Sequence, residues 1–593
     1  MDKIIEFAKT SYLKRPVLLV LFVSILLTLP WITMSDFYTK GEPREATVAT
    51  TILNTGNWIL PTDYADEVAY KPPFMHWFIA AFSLPAGHVT ETTARLPSAL
   101  GLIGITVLFF VFLYKRKSKT VALIASMLLL TSFEMHRSGI EGRVDMFLAF
   151  FMIASLISLY KWEEKGLKGY PVFIPVLLAS AALIKGPVGV VLPCLVFGIY
   201  LLLLQRYSLW KIIIKNSIVA LPALAVLVVW YFLAYKQGGQ QFYNVVYAEN
   251  FGRFLGQDSK ALGIAYDLGH KGPFWYYIPA ILIGFFPWSF LLIFGLFVVS
   301  FKKIFKSNSF QISAVSQKLK QADTLFLYSL VAVVIILGFY AIPSSKRSVY
   351  IMPAYPFAAY LLALLYERAV AVKPQLIRSV AWVVFVFSGL VLLLTLVFHF
   401  VNLSALLSTV KLDERSLFDV NQFSVAFQQP GILAVILWLL LAAIFAGSIV
   451  IYKRKHTPTL LFASIALFVC LQVFLEGFAY PVFKNGHSMR PFAEKIASEF
   501  NLKGRMYVIN NLRDYPNMYE LNFYLGNDFK NFEKALPSDG YFLIGAKDID
   551  KIRAKYTGSY RFDELNRTEN GFNDFRDVVV IYKIVRIGNI QVH

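Results

Sequence analysis

Long apolar stretches separated by short polar segments run through most of the chain. An α-helix needs about 17–25 apolar residues to cross a membrane. The pattern predicts thirteen such spans, at about residues 17–35, 96–114, 120–135, 144–160, 171–184, 187–205, 213–235, 275–300, 324–342, 349–367, 378–402, 431–452 and 459–480. We therefore expect an all-α polytopic membrane domain over residues 1–480, in which the first extramembrane loop is long and covers residues 36–95.

The pattern changes after residue 480. Residues 490–500 have the spacing of an amphipathic helix, whereas residues 506–510, 541–545 and 578–585 are short apolar runs typical of strands. Residues 548–555 predict a further helix between the last two strands. We expect a small soluble α/β domain over residues 481–593, and we find no internal repeat.

Basic residues concentrate in alternate loops. These loops lie at residues 115–119, 161–168, 206–211, 302–320, 368–378 and 453–455. An excess of Lys and Arg marks the cytoplasmic side of a membrane. Thirteen spans then place the N-terminus in the cytoplasm, and place the loops at 36–95 and 236–274 and the C-terminal domain on the outer side.

The net charge and the cysteine content limit which partners and which kinds of site we expect. The chain has 57 basic and 37 acidic side chains and a formal net charge of +20. Because the basic residues lie between apolar spans, topology control and contact with membrane lipids explain this charge better than a nucleic-acid partner. The two cysteines, Cys194 and Cys470, lie inside apolar runs, so we expect neither a disulfide framework nor a cysteine metal site.

Several cations lie on the side that the charge bias should deplete. These residues are Lys71, Lys185, Arg253, Lys346 and Arg347. Each has a structural explanation when taken alone, such as a lysine that contacts lipid headgroups. Together, at the edge of a membrane, they indicate an anionic ligand at the outer leaflet, for which a phosphate group fits best.

Acidic residues accompany these cations. Glu42-Pro43 has the composition of a helix start, so Glu42 is either a helix cap or a functional carboxylate. Lys71 precedes two prolines, which bar a helix before Phe74. Residues 136–145 hold a second group of charged residues. The last of them, Asp145, lies at the start of the span at 144–160. The plain alternative for this group is an ion pair that stabilises the loop.

Three motifs carry a family resemblance. They are Glu-Pro-Arg at residues 42–44, Gly-Asn-Trp-Ile-Leu-Pro at 56–61, and Lys-Pro-Pro followed by Trp77 at 71–77. As a set they resemble the lipid-linked-sugar transferases of the GT-C class. The chain is similar to the aminoarabinose transferase of lipid A and to the bacterial relatives of protein O-mannosyltransferases. The resemblance covers roughly residues 17–370.

The resemblance implies an inverting glycosyltransferase of the bacterial inner membrane. It would move a monosaccharide from a polyprenyl-phosphate donor such as undecaprenyl phosphate to a lipid A-like glycolipid, a glycan or a protein at the outer face. The candidate catalytic residues are Glu42 and Asp145: the resemblance implies a carboxylate in the first outer loop, which is Glu42, and Asp145 is the runner-up because it enters the span at 144–160 beside Arg143. The implied donor-phosphate ligands are Arg44, Lys71, Arg253, Lys346 and Arg347. The implied substrate cavity contains Glu141, Arg143, Lys185, His270 and Tyr350. A divalent metal, with His270 as a ligand, is the one cofactor that the family suggests.

Three positions depart from the family pattern. Relatives have Asp-Glu before Pro-Arg where this chain has Gly41-Glu42, and an aromatic residue where it has Glu45. Tyr70 replaces an acidic residue that can help to hold a metal. The role of the base therefore passes to Glu42, with Asp145 as the alternative.

Two other functional classes compete with this hypothesis. A transporter or flippase of a lipid-linked glycan would also need many spans, but such proteins typically show internal repeats and broken helices at the midplane. A non-catalytic lipid-binding scaffold would not need a carboxylate and several cations in the same outer loops. The sequence therefore favours the transferase.

Overall fold

The computed structural model describes residues 15–69, 71–252, 271–298, 323–401, 413–509, 517–571, 573 and 576–588. Within these residues the structure is mainly helical. Its α-helices are Pro16–Thr28, Gly41–Thr55, Phe74–Ser83, Glu91–Tyr114, Lys119–Thr131, Phe133–Ile140, Val144–Glu164, Phe173–Lys185, Val188–Leu204, Leu209–Tyr247, Tyr277–Gly284, Phe290–Val298, Thr324–Ala341, Tyr355–Val372, Pro374–Phe400, Glu414–Gln428, Ile432–Lys453, Thr457–Phe474, Tyr480–Gly486, Arg490–Glu499, Tyr519–Tyr524, Phe532–Ala535 and Ile549–Lys555.

Eight helical segments in the described residues are long and apolar enough to cross a membrane. They are Glu91–Tyr114, Val144–Glu164, Leu209–Asn250, Thr324–Ala341, Ser348–Val372, Pro374–Phe400, Ile432–Lys453 and Thr457–Gly486. Each coincides with a span predicted from the sequence. The multi-pass, all-α character of the membrane part is confirmed, whereas the count of thirteen spans stays a prediction.

The other predicted spans correspond to shorter helices. Lys119–Thr131 and Phe173–Lys185 have 13 residues each, or about 20 Å of helix. The expected span at 275–300 is not one helix but is interrupted between Gly284 and Phe290. Most of these shorter helices are packed against the long ones, so their apolar character reflects burial within the bundle as well as contact with lipid.

The first apolar helix ends earlier than its sequence predicts. Pro16–Thr28 stops two residues before Pro30, which has no N–H to donate to the carbonyl of Leu26. The indole Nε1 of Trp31 donates to that carbonyl instead, at 2.8 Å. The carbonyl of Leu26 therefore stays bonded as the chain leaves the helix, and residues 29–40 lead to helix Gly41–Thr55.

Polar contacts tie the basic loops together at one end of the bundle. Arg116 donates from Nε to Glu164 at 2.8 Å, and the Nζ of Lys117 lies 2.7 Å from the carboxylate of Asp323. The loops at 115–119 and 161–168 and the residue before Thr324 therefore share one side, as the alternation of basic loops predicts.

Residues after 500 form a five-stranded sheet that confirms the small α/β unit. The strands are β1 Met506–Val508, β2 Lys530–Asn531, β3 Asp539–Gly545, β4 Tyr560–Arg567 and β5 Val579–Arg586. Their order is β2-β1-β3-β5-β4, with β1 parallel to β2 and β3 and the remaining pairs antiparallel. The sequence predicts β1, β3 and β5 correctly. It misses β2, which has only two residues. It also misses β4, whose charged, largely exposed pattern is that of an edge strand.

The sheet-containing unit is packed on the first outer loop. Helix Tyr519–Tyr524 lies against helix Gly41–Thr55. Asn527 donates to the hydroxyl of Thr51 at 2.9 Å, and the hydroxyl of Tyr519 donates to Asp63 at 3.2 Å. This unit and the loop at 36–95 therefore lie on the same side of the bundle.

Candidate functional site

Helix Gly41–Thr55 positions the acidic and basic residues of the first outer loop. The sequence predicts a helix from Ala46 to Leu53 that starts at Glu42-Pro43, and the structure extends it in both directions. Pro43 lies in the first turn, where its missing N–H costs nothing. Gly56 ends the helix with a φ of 68°, a conformation that favours glycine.

Glu42 is enclosed and fully engaged. Arg95 donates to both of its carboxylate oxygens, at 2.7 and 3.1 Å, and the backbone N–H of Gly142 donates at 2.8 Å. Both side chains of this ion pair are about 1% exposed. Burial alone raises the pKa of Glu42, but the charge and hydrogen bonds of Arg95 outweigh it and lower that pKa to about 2. Such a carboxylate ties the helix to the bundle and accepts protons poorly.

A different carboxylate on the same helix faces the predicted phosphate ligand. Glu45 Oε1 lies 2.5 Å from the Nζ of Lys71 and 2.7 Å from Nη2 of Arg44. Its second oxygen lies 2.8 Å from Nε2 of His76. The side chain of Glu45 is 3% exposed. Its three partners come from its own helix, from the extended segment before Phe74 and from helix Phe74–Ser83, which starts where the two prolines predict.

Burial shifts the ionisation of this group. Burial raises the pKa of Glu45, but the charges of Lys71 and Arg44 and the contact with His76 outweigh it and lower the pKa well below its usual value. Burial and the charge of Arg44 lower the pKa of Lys71 to about 8, although Glu45 opposes that shift. Lys71 is therefore still mainly protonated at neutral pH and can act as a cation for an anionic ligand.

Asp145 forms the second part of the site. It lies in the first turn of helix Val144–Glu164, and one of its oxygens pairs with the Nζ of Lys185. That Nζ also lies 4.1 Å from the ring centroid of Tyr350. Lys71 and Arg347 are close enough for their charges to act on Asp145. Residues from four separate segments of the chain thus meet here, and the structure brings together most of the predicted ligands.

Glu141 and Arg143 form a neighbouring group. Nε of Arg143 lies 2.9 Å from Glu141, and Arg137 lies 3.5 Å from the same carboxylate. A Cβ atom at Gly41 would lie 3.3 Å from the guanidinium carbon of Arg143. The glycine that departs from the family pattern thus lets Arg143 approach the start of helix Gly41–Thr55. The loop-stabilising ion pair considered from the sequence is present.

The ammonium group of Lys346, a predicted phosphate ligand, is bound to backbone carbonyls instead. Its Nζ donates to the carbonyls of Ala341 and Pro343, at 2.8 and 2.5 Å, and the residue is 3% exposed. Burial lowers the pKa of Lys346. A cation at the end of helix Thr324–Ala341 satisfies carbonyls that the helix leaves open, and its neighbour Arg347 is the residue whose charge reaches Asp145.

Two predicted residues lie outside the described part of the chain. These are Arg253, expected to bind the donor phosphate, and His270, expected in the cavity or at a metal. In the residues that the structure does describe, no three His, Cys, Asp or Glu side chains come together as a metal site. We therefore derive no step through a metal.

Comparisons with known proteins identify the architecture. A family model described as "Dolichyl-phosphate-mannose-protein mannosyltransferase" matches residues 70–232, a range that includes Lys71, Asp145 and Lys185. The crystal structure of ArnT from Cupriavidus metallidurans bound to undecaprenyl phosphate has a TM-score of 0.66 to this chain. The alignment covers 95% of this chain and 97% of that one, at 18% sequence identity. The chain has the fold of ArnT. The GT-C resemblance read from the three motifs is confirmed.

Curated relatives point the same way. The undecaprenyl phosphate-alpha-4-amino-4-deoxy-L-arabinose arabinosyl transferase of Shewanella sediminis is 26% identical over 47% of this chain and 50% of its own length. The enzyme of that name from Pectobacterium atrosepticum is 24% identical over 64% of this chain and 63% of its own length. The chain thus spans about half to just under two thirds of the curated relatives that it matches.

Three residues of this region have no predicted role. Glu45 and His76 are charged or titratable positions in the loop at 36–95, and Arg95 lies at the edge of a predicted span. One signal was available for it: an arginine that starts an apolar helix needs a buried anionic partner, and Glu42 is that partner.

Proposed function

We propose that this protein is an integral-membrane glycosyltransferase that moves a monosaccharide from a polyprenyl-phosphate donor to an acceptor at the outer face of the membrane. The observation that carries the proposal is the convergence of Arg44, Lys71, Lys185 and Arg347 with the carboxylate of Asp145, in a chain with the ArnT fold. The acceptor is a glycolipid, a glycan or a protein. The fold supports this function over transport of a lipid-linked glycan.

The cations serve the departing polyprenyl phosphate. Negative charge develops on the phosphate as its bond to the sugar breaks, so a positive charge held nearby gains value in the transition state. Lys71 supplies a compact point charge, whereas Arg44 and Arg347 can bind two oxygens at once. Lys346 contributes less in this proposal, because its ammonium group is occupied by backbone carbonyls.

Asp145 is the general base in this proposal. The acceptor oxygen attacks the anomeric carbon, the bond from that carbon to the phosphate oxygen breaks, and the hydroxyl proton passes to the carboxylate with inversion at the carbon. A base must lie within hydrogen-bond reach of the hydroxyl. Glu42 stays a sequence-based prediction for this role, but its bonds to Arg95 and Gly142 favour a structural one.

The proposed site faces away from the cytoplasm. Its residues lie in loops at the end of the bundle opposite to the basic loops, and positive loops mark the cytoplasmic side. We expect the N-terminus inside and residues 481–593 outside, which is the periplasm in a bacterial inner membrane. A C-terminal alkaline phosphatase fusion should be active, and a fluorescent reporter that folds only in the cytoplasm should be dark. The reverse pattern would refute this orientation.

The function is tested by mass analysis of membrane glycolipids and glycoproteins from cells with and without the gene. We expect a species one sugar heavier that disappears on deletion and returns with the wild-type gene. A gene that carries Lys71→Ala should restore less than about a tenth of it, because the phosphate loses a charge-assisted contact that is worth about 1.5–3 kcal/mol.

Lys534→Ala provides the matched control for this experiment. Lys534 pairs with Glu67 on the same side of the bundle, but both side chains are well exposed, so the pair is worth about 0–1 kcal/mol. This variant should restore the product fully at equal expression. Identical glycan profiles with and without the gene would contradict the proposed function, and full restoration by Lys71→Ala would contradict the role of that lysine.

A further inference from the structure

Glu45 occupies the place that an anionic ligand would take between two cations. Its Oε1 atom contacts both Lys71 and Arg44, at 2.5 and 2.7 Å. Neither cation is fully buried, whereas the third partner of Glu45, His76, is 1% exposed.

Glu45 and its two cationic partners differ in how far their side chains are exposed. The side chain of Glu45 is 3% exposed, that of Lys71 is 14% exposed and that of Arg44 is 31% exposed. Part of each cation is therefore accessible, whereas the carboxylate is buried. The ion pair of Glu42 with Arg95, in which both residues are about 1% exposed, offers no such access.

His76 anchors the other side of the carboxylate. Its Nε2 atom lies 2.8 Å from Oε2 of Glu45, the residue is 1% exposed, and its Nδ1 atom is buried without a hydrogen-bond partner among the described residues. Glu45 would thus keep one hydrogen bond if its contacts with Lys71 and Arg44 were broken. A buried carboxylate that loses two cations but keeps a histidine is less costly than one that loses every partner.

We propose that Glu45 is an internal anion that holds Lys71 and Arg44 in the empty enzyme and gives them up to the phosphate of the polyprenyl donor. The inference rests on the proposed function and specifies how its donor site is kept ready. The exchange replaces ionic contacts and involves no covalent step. Glu45 keeps the two cations oriented and competes with the donor, so its presence weakens donor binding.

The test measures binding of undecaprenyl phosphate to the full-length protein in detergent micelles. Glu45→Gln retains the shape of the side chain and the contact with His76 but removes the competing charge. Removing one charge of a close, competing pair is expected to change the affinity by about tenfold, which corresponds to about 1.4 kcal/mol. We therefore expect the variant to bind undecaprenyl phosphate on the order of tenfold more tightly. Unchanged or weaker binding would overturn the exchange.

Glu67→Gln is the matched control. Glu67 is an acidic residue of the same loop that pairs with the exposed Lys534, so its removal changes the net charge equally and should leave the affinity unchanged. Tighter binding in both variants would assign the effect to general charge and overturn the inference. If Glu45→Gln fails to fold, Glu45→Asp shortens the reach to Lys71 and should tighten binding by a smaller factor, and no gain would overturn it.

The same measurement separates this inference from the function on which it rests. A wild-type protein that does not bind undecaprenyl phosphate would refute the donor assignment itself. A wild-type protein that binds it, alongside a Glu45→Gln variant that binds no better, would refute the exchange alone.

Discussion

Replacing Asp145 by asparagine is expected to lower turnover by about 10²–10⁴-fold, the usual value of general-base assistance. The variant keeps the size of the side chain but cannot accept a proton. Donor binding should not weaken, because the change removes a negative charge from beside Lys185. The loss should therefore appear in turnover at saturating donor.

The control for this variant lies at the opposite end of the bundle. Asp323 pairs with Lys117 in an exposed ion pair, and Asp323→Asn removes the same charge far from the site. We expect it to retain normal turnover. An Asp145→Asn protein with wild-type turnover would exclude Asp145 as the base, and a loss that comes entirely from weaker donor binding would assign it to the ligand site instead.

Replacing Glu42 by glutamine should lower the stability of the fold more than it lowers turnover. The change leaves the guanidinium of Arg95 buried without its carboxylate, and breaking such a pair typically costs about 3–5 kcal/mol. Because the pKa of Glu42 is lowered to about 2, the pair stabilises the fold above the ordinary glutamate pKa and loses that effect only as the pH falls towards 2. We expect a clearly lower apparent melting temperature in detergent and a reduced yield.

Glu164→Gln removes a carboxylate from a more exposed ion pair, that with Arg116, and should shift stability by about 0–1 kcal/mol. The comparison decides the role of Glu42. If Glu42→Gln melts like the wild type and binds donor but loses turnover on the order of 10²-fold or more, then Glu42 is the base, as the family motif first indicates, and Asp145 is not.

Local rules explain which parts of the fold the sequence predicts well. Two prolines after Lys71 place the start of helix Phe74–Ser83, and the long apolar runs place eight spans. Helix length was harder to predict, because a buried helix can be apolar without crossing a membrane. The end of helix Pro16–Thr28 depends on the Trp31 indole, which bonds to a carbonyl several residues earlier.

The candidate site also has a part that the sequence predicts and a part that it does not. The sequence predicts a role for Lys71, Lys185 and Arg347 because cations in loops expected on the outer side run against the charge bias, and this signal is independent of their three-dimensional positions. The sequence does not specify which cation each of Glu42 and Glu45 meets. These residues are one helical turn apart, yet one faces Arg95 inside the bundle and the other faces Lys71. The packing of helix Gly41–Thr55 decides which carboxylate meets which cation.

The packing of helix Tyr519–Tyr524 against helix Gly41–Thr55 has a consequence for how this protein can diverge. The helix that carries Glu45 also contacts the sheet-containing unit, through the bond of Asn527 to Thr51, and the following segment adds the bond of Tyr519 to Asp63. The sheet-containing unit is therefore not an interchangeable module. A chimera that takes this unit from a relative must take the matching first outer loop as well, so substitutions on the two surfaces should be inherited as one block.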